Sequence, residues 1–236
     1  MNARENFSSD SRQAGSSDGL ENQERRRFLA VPSVYVIATS ERSVRPLDEQ
    51  LRLLVEGGVG AVQLREKGMS DEELVALACR IAPITRWARI PLILNDRPAL
   101  VRHTCASGVH VGVEDPSVAE ARRALGPNAI VGATVHSLDE ALAAEREGAD
   151  YLGVGPIHSS RTKPGRPGQG LEWLAVIVRS VRIPCYAIGG IRVEHIPAVL
   201  ASGARGVAVC DALLSARDAT VAARSMRDAL GRAVSP

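Results

Sequence analysis

Aromatic residues are scarce in this chain. They make up 3% of its 236 positions, as two Trp, three Tyr and two Phe. A core must then be built from Ala, Val, Leu and Ile, and an apolar fraction of 45% supplies enough of them. Branched aliphatics of this kind dominate the interiors of β/α barrels. Cysteine is also rare: Cys79, Cys105, Cys185 and Cys210 have neither metal-ligand nor redox spacing. Three of the four fall in predicted helix or strand segments, which reads as buried thiols in a reducing cytoplasm. No apolar run approaches the roughly 20 residues that span a bilayer. A net charge of +2 gives no footprint for nucleic acid or an anionic membrane. No glycine-rich dinucleotide fingerprint stands near the start. Nucleic acid and membrane are thus excluded as partners and small molecules are expected; the oligomeric state, including a homo-oligomer, stays open.

Residues 1–28 differ from everything after them. Met1 to Arg27 are rich in Asn, Ser, Asp, Glu, Gln and Arg, with almost no apolar side chains. The expectation is a disordered N-terminal arm over 1–28 and one domain over 29–236. The arm lacks the apolar core of a secretory signal, and Arg25-Arg26-Arg27 reads as part of a solvated tail.

From Pro32 onward, short apolar runs alternate with helical segments. The predicted strands are Val34–Ala38, Ala61–Leu64, Leu92–Asn95, Val109–Val111, Ile130–Ala133, Tyr151–Val154, Cys185–Ile188 and Gly206–Val209. Between them, Leu47, Leu51 and Leu54 keep helical spacing, and Ser70-Asp71-Glu72-Glu73 reads as a capping box. Pro116–Leu125, Leu138–Glu147, Leu171–Val181, Val193–Ala201 and Ala219–Leu230 supply further helices, while the segment after Asp96 is the weakest. Strand and helix alternating eight times predict a closed (β/α)8 barrel, the TIM-barrel fold of the α/β class.

The runs end abruptly in polar residues. Gln63-Leu64 leads into Arg65-Glu66-Lys67, Leu94 into Asn95-Asp96-Arg97, and Val111-Gly112 into Glu114-Asp115. Chemistry in such barrels gathers at the carboxyl ends of the strands. Gly189-Gly190 after the seventh strand suits phosphate, which backbone N–H groups can hold. The long loop Gly155–Gly170 carries three cations with Ser and Thr donors and fits an anionic ligand. Asp96 and Asp115 follow neighbouring strands, an arrangement that suits Mg²⁺; Asp115, just before Pro116, is equally placed to cap a helix. His110, His136 and His158 lie near strand ends, either as acid–base groups or as packed, hydrogen-bonded side chains.

Taken in order, Gln63-Leu64-Arg65-Glu66-Lys67, Asn95-Asp96-Arg97, Gly108-Val109-His110-Val111-Gly112 with Asp115, Gly153-Val154-Gly155-Pro156-Ile157 with Thr162-Lys163, Ala187-Ile188-Gly189-Gly190-Ile191 and Gly206-Val207-Ala208-Val209 resemble thiamine phosphate synthases. The resemblance covers Val34 to the C-terminus. It implies a transferase that joins hydroxymethylpyrimidine diphosphate to a thiazole phosphate, plain or carboxylated, releasing pyrophosphate. It also implies that Gln63, Arg65, Lys67 and Asn95 hold the pyrimidine diphosphate, and that Asp96 and Asp115 bind Mg²⁺. Ser160, Thr162 and Lys163 would meet the phosphates, with Lys163 on the leaving group. Gly190 and the Cys210-Asp211 region would hold the thiazole phosphate. Thr134 stands where the family usually has Ser and keeps the hydroxyl as a substrate contact; Lys163, Arg65 and Thr134 form the implied catalytic set.

Two departures stand out. Asp211 replaces the usual Ser and would repel a phosphate unless turned away. His158 stands where an aromatic is usual. The stretches Val135-His136-Ser137-Leu138-Asp139-Glu140 and Pro164–Glu172 look more like thiazole tautomerases, which share the fold. A regulator that binds a phosphate ligand without turnover is the third reading.

Overall fold

Four-residue and six-residue apolar runs are too short for helices and are flanked by turn residues, so they pair as strands. A computed structural model of the chain describes residues 17–159 and 167–234. It contains β1 (Ser33–Ala38), β2 (Ala61–Leu64), β3 (Leu92–Asn95), β4 (Gly108–Val111), β5 (Ile130–Val135), β6 (Tyr151–Val154), β7 (Cys185–Ile188) and β8 (Gly206–Val209). Every neighbour pair is parallel, and β8 returns to β1 to close the barrel. The predicted (β/α)8 architecture is therefore the observed one.

The helices among the described residues are α1 (Ser17–Ala30), α2 (Leu47–Glu56), α3 (Asp71–Ala88), α4 (Val118–Leu125), α5 (Leu138–Arg146), α6 (Gly170–Ser180), α7 (Ile196–Ala201), α8 (Asp211–Leu214) and α9 (Ala219–Val234). Ser70 and Glu73 form the expected capping box at the start of α3. The weak segment after Asp96 winds only as a 3-10 helix, Pro98–His103. The predicted helix over Val193–Ala201 divides: Val193–His195 is a 3-10 turn, and Pro197, which has no N–H to donate, falls within the first two residues of α7.

Successive side chains on a strand face opposite sides. On the outward side, Val34, Val36, Val62, Leu64, Leu92, Leu94, Val109, Leu152 and Val207 pack against the helices in one aliphatic layer. The barrel interior is different and corrects the expectation drawn from composition. All three tyrosines, Tyr35, Tyr151 and Tyr186, fill it together with Phe28, Ile37, Ile93 and Ile130. The few aromatics are concentrated in one place, where a wide ring fills space between opposite strands that an aliphatic side chain leaves empty.

Phe28 enters this layer from outside the barrel. The segment expected as an arm is helical from Ser17, and its Phe28 is 2% exposed. The Phe28 ring stacks on Tyr186 at 5.0 Å and meets Tyr35 and Tyr151 edge-on at 5.5 and 5.2 Å. Tyr186 Oη donates to the Phe28 carbonyl at 2.6 Å, and Arg205 donates to the Ala30 carbonyl at 3.0 Å. Arg25 pairs with Asp150, which also accepts from Arg122 and from the Val131 amide. The expectation of an arm without packed apolar surface thus does not describe Phe28: one ring is enough, because the barrel bottom is an aromatic socket that a local composition count does not see. Residues 1–16 lie outside the described residues.

The thiols differ from expectation as well. Cys79 and Cys105 are exposed, Cys210 is half-buried, and only Cys185 is buried. Burial pushes the Cys185 thiol up to about 12, so it stays protonated. No helix among the described residues is long and apolar enough to cross a membrane.

Candidate active site

On β2, β3, β4 and β5 the inward position nearest the carboxyl end is polar, as Gln63, Asn95, His110 and Thr134. Register places Gln63 beside Ile37 and Ile93, Asn95 beside His110, and Thr134 beside Gly153. These side chains floor a cavity of about 390 Å³ to which all eight strand ends contribute. Its wall includes Gln63, Arg65, Lys67, Asn95, Asp96, Asp115, Thr134, Gly190, Cys210 and Asp211. Sequence reasoning proposed each of these, and the structure brings them to one pocket. Ser160, Thr162 and Lys163 lie outside the described residues. The base of their loop is anchored: Ile157 N–H donates to the Ile188 carbonyl at 2.8 Å, and Gln169 N–H to the Pro156 carbonyl at 2.8 Å.

Asp96 adopts a left-handed backbone, φ 66°, which an Asp tolerates better than most residues. Its N–H donates to the His110 carbonyl at 2.8 Å and so fixes the end of β3 against β4. This sets the Asp96 carboxyl beside that of Asp115, close enough for each to act on the other's charge. Burial first, then the contact with Asp115, raises the Asp96 carboxyl to about 6, while Lys67 and Arg65 pull it the other way. Lys67 Nζ stands 3.7 Å from Asp96 Oδ2. Asp115 is not the helix cap: Ser117 caps α4 with Glu120, and Asp115 Oδ2 accepts from the Gly112 amide at 2.7 Å. Two carboxyls held together need a proton or a cation between them. Among the described residues no third His, Cys, Asp or Glu joins them, so a metal there would complete its shell with ligand oxygens or water.

Gly190 must be glycine. Its φ is 62°, and a Cβ there would lie 2.5 Å from the Ser159 carbonyl oxygen. The loop can therefore turn its backbone N–H groups toward a bound anion without a side chain in the way. Three further polar groups line the cavity that sequence reasoning either missed or left undecided. Arg192 was missed, although it stands two residues after Gly190. His110 is 4% exposed and was readable only as one of three strand-end histidines. His136 lines the cavity too, with Nδ1 on the Gly155 carbonyl, while its own N–H and Ser137 serve the start of α5 through Glu140.

A family model described as thiamine monophosphate synthase matches residues 34–213. Among curated relatives, thiamine-phosphate synthase from Chloroflexus aurantiacus is 45% identical over 174 residues, 73% of this chain and 80% of that protein. The same enzyme from Moorella thermoacetica is 42% identical over 200 residues, 84% of this chain and 95% of its own length. A solved thiamine phosphate pyrophosphorylase from Pyrococcus furiosus superposes with a TM-score of 0.81 at 35% identity, covering 89% of this chain and 99% of its own.

Proposed function

Because the chain belongs to the thiamine monophosphate synthase family, we propose that it joins hydroxymethylpyrimidine diphosphate to a thiazole phosphate, forming thiamine phosphate and pyrophosphate. The observation that carries this is one cavity in which two amides, Gln63 and Asn95, two cations, Arg65 and Lys67, and a carboxyl pair meet at adjoining strand ends. In this reading the bond from the pyrimidine methylene carbon to the diphosphate oxygen breaks, and the bond from that carbon to the thiazole nitrogen forms. The electron pair leaves with pyrophosphate. No protein nucleophile takes part.

Charge grows on the leaving diphosphate as the bond stretches, so groups aimed at it stabilise the transition state more than the bound substrate. Arg65 and Lys67 stand where they can receive it, and Lys163 would meet it from the loop after β6. Gln63 and Asn95 orient the pyrimidine, with Thr134 donating to its polar atoms, while Ser160 and Thr162 would meet the phosphates. Mg²⁺ held by Asp96 and Asp115 would supply further positive charge against the diphosphate. Two neighbouring carboxyls beside Lys67 fit such an ion. The Gly189-Gly190 amides would take the thiazole phosphate. Asp211 lines the same cavity, and its backbone N–H, rather than its carboxylate, suits an anion.

One observation favours the tautomerase reading: His136, a group able to move protons, lines the cavity. A tautomerase has no need of the carboxyl pair or of Gln63, Arg65 and Lys67, and so the synthase reading stands first. The test is the purified protein with both substrates and Mg²⁺, followed for thiamine phosphate. Turnover of the thiazole tautomer alone, with no thiamine phosphate from the pair, would replace the synthase by the tautomerase. Binding of the thiazole phosphate with neither reaction would leave a regulator.

A further inference from the structure

The cavity floor continues inward as one hydrogen-bonded chain. Gln63 Nε2 donates to Tyr35 Oη at 2.8 Å, and Tyr35 Oη lies 2.8 Å from Tyr151 Oη. Tyr151 Oη lies 3.0 Å from His110 Nδ1, and His110 Nε2 lies 2.8 Å from Thr134 Oγ1. Gln63, His110 and Thr134 line the cavity, whereas Tyr35 and Tyr151 are 1% and 0% exposed beneath it. The strands are cut away to admit these rings. A Cβ at Gly132 would stand 2.1 Å from Tyr151 Cζ, and one at Gly153 would stand 3.2 Å from His110 Cε1.

Donor counting gives the chain one direction. An amide nitrogen only donates, so Tyr35 Oη accepts from Gln63 and its single proton goes to Tyr151. Tyr151 then gives its own proton to His110 Nδ1. A ring nitrogen that accepts carries no proton, so the neutral imidazole is protonated at Nε2 and donates to Thr134 Oγ1. Thr134 accepts there and keeps its hydroxyl proton for an acceptor in the cavity. At the other end, the nitrogen of Gln63 is turned inward. Burial raises both phenols above their ordinary range, which keeps the two hydroxyl protons in place.

We propose that Tyr35, Tyr151 and His110 are positioning residues that fix Thr134 as a hydrogen-bond donor to the bound substrate and hold the Gln63 amide in one orientation. The proposal rests on the synthase reading, in which ring nitrogens and diphosphate oxygens are the acceptors within the cavity. Without the Tyr151 hydroxyl nothing holds His110 Nδ1 as the acceptor, so the tautomer with bare Nε2 becomes accessible, and in it Nε2 accepts from Thr134 and withdraws the Thr134 proton from the substrate.

The test is a set of variants followed for turnover and for the histidine tautomer by isotope-edited NMR. Thr134→Val and Tyr151→Phe should each lower kcat about 10- to 100-fold, the range of a lost ligand-orienting hydrogen bond. The double variant should be no slower than either single one, since both remove the same donor. His110→Gln should recover part of the rate lost in His110→Leu, because its terminal amide still offers a donor. Tyr35→Phe should raise KM for the pyrimidine diphosphate through Gln63 and leave the tautomer unchanged. Additive losses in the double variant would overturn the proposal. So would a wild-type His110 protonated at Nδ1, a measurement on the unaltered protein that needs neither turnover nor a folded variant. The expected tautomer in a protein that makes no thiamine phosphate would support the chain's direction and sink the synthase reading instead.

Discussion

Replacing Phe28 by Ala tests whether the N-terminal helix is part of the folded domain. The ring is 2% exposed and touches three tyrosines at centroid distances of 5.0 to 5.5 Å. Truncating a buried Phe to Ala costs about 3–5 kcal/mol, and aromatic pairs add about 0.5–1.5 kcal/mol beyond area burial. Here the low end applies, because the socket opens downward and water or a shift of α1 can fill it. The Tyr186 hydrogen bond to the Phe28 carbonyl also survives the substitution. A loss of about 3 kcal/mol, at about 2–4 °C per kcal/mol for a domain of this size, lowers Tm by about 6–12 °C. Circular dichroism melts of the wild type and of Phe28→Ala measure it directly. Arg25→Ala is the control: its ion pair with Asp150 is part-exposed, and such pairs contribute about 1 kcal/mol or less. Turnover at low temperature should hold in Phe28→Ala, since the cavity opens at the other end of the barrel. A Tm shift under about 2 °C would refute the reasoning and return residues 17–28 to a dispensable arm.

Three further outcomes bear on the chemistry. Asp96→Asn should keep the fold and lower turnover about 100-fold or more, as loss of charge stabilisation at a leaving group does; full turnover of that variant, or of the wild type in EDTA, would remove Mg²⁺ from the site. Lys163→Ala should lower kcat more than it raises KM for the pyrimidine diphosphate, because charge appears on the leaving group only as the bond breaks; a change confined to KM would make Lys163 a binding residue. Asp211→Ser should leave thiazole-phosphate affinity the same or somewhat tighter, and calorimetry that finds weaker binding would mean that the carboxylate itself recognises the ligand.

The barrel was legible because each strand announces itself. In a parallel barrel both faces are buried, so strands are short uninterrupted apolar runs, and their carboxyl ends turn polar where the chemistry sits. Ala61–Leu64, Leu92–Asn95, Tyr151–Val154, Cys185–Ile188 and Gly206–Val209 match the predicted bounds, and the others differ by a residue or two. The same polar switch delivered Gln63, Arg65, Lys67, Asn95, Asp96 and Asp115 to one pocket. What stayed hidden depends on contacts far apart in the chain. Phe28 stands at the edge of the polar stretch, directly after Arg25-Arg26-Arg27, and nothing near it shows the three tyrosines that receive it. Composition gave the number of aromatics but not their place.

A second signal lies within the strands. Every other strand residue faces the interior, so once one inward residue is known the rest follow. Gln63 at the mouth implies Ala61 below it; Asn95 implies Ile93; Thr134 implies Gly132 and Ile130. Read across the register, the inward set runs from polar side chains at the top to tyrosines at the bottom, with Gly132 and Gly153 leaving room between. That gradient explains why His110 sits where it does. It is the inward residue of β4 at the boundary, with Tyr151 on one ring nitrogen and Thr134 on the other. A polar ring buried at such a boundary is costly unless both nitrogens are paired. The aromatic floor and the reactive mouth are thus one polar structure. A substitution at Tyr151 reaches the cavity through His110 and one at Tyr35 through Gln63, while one at Phe28 removes no member of that line of hydrogen bonds and acts on stability.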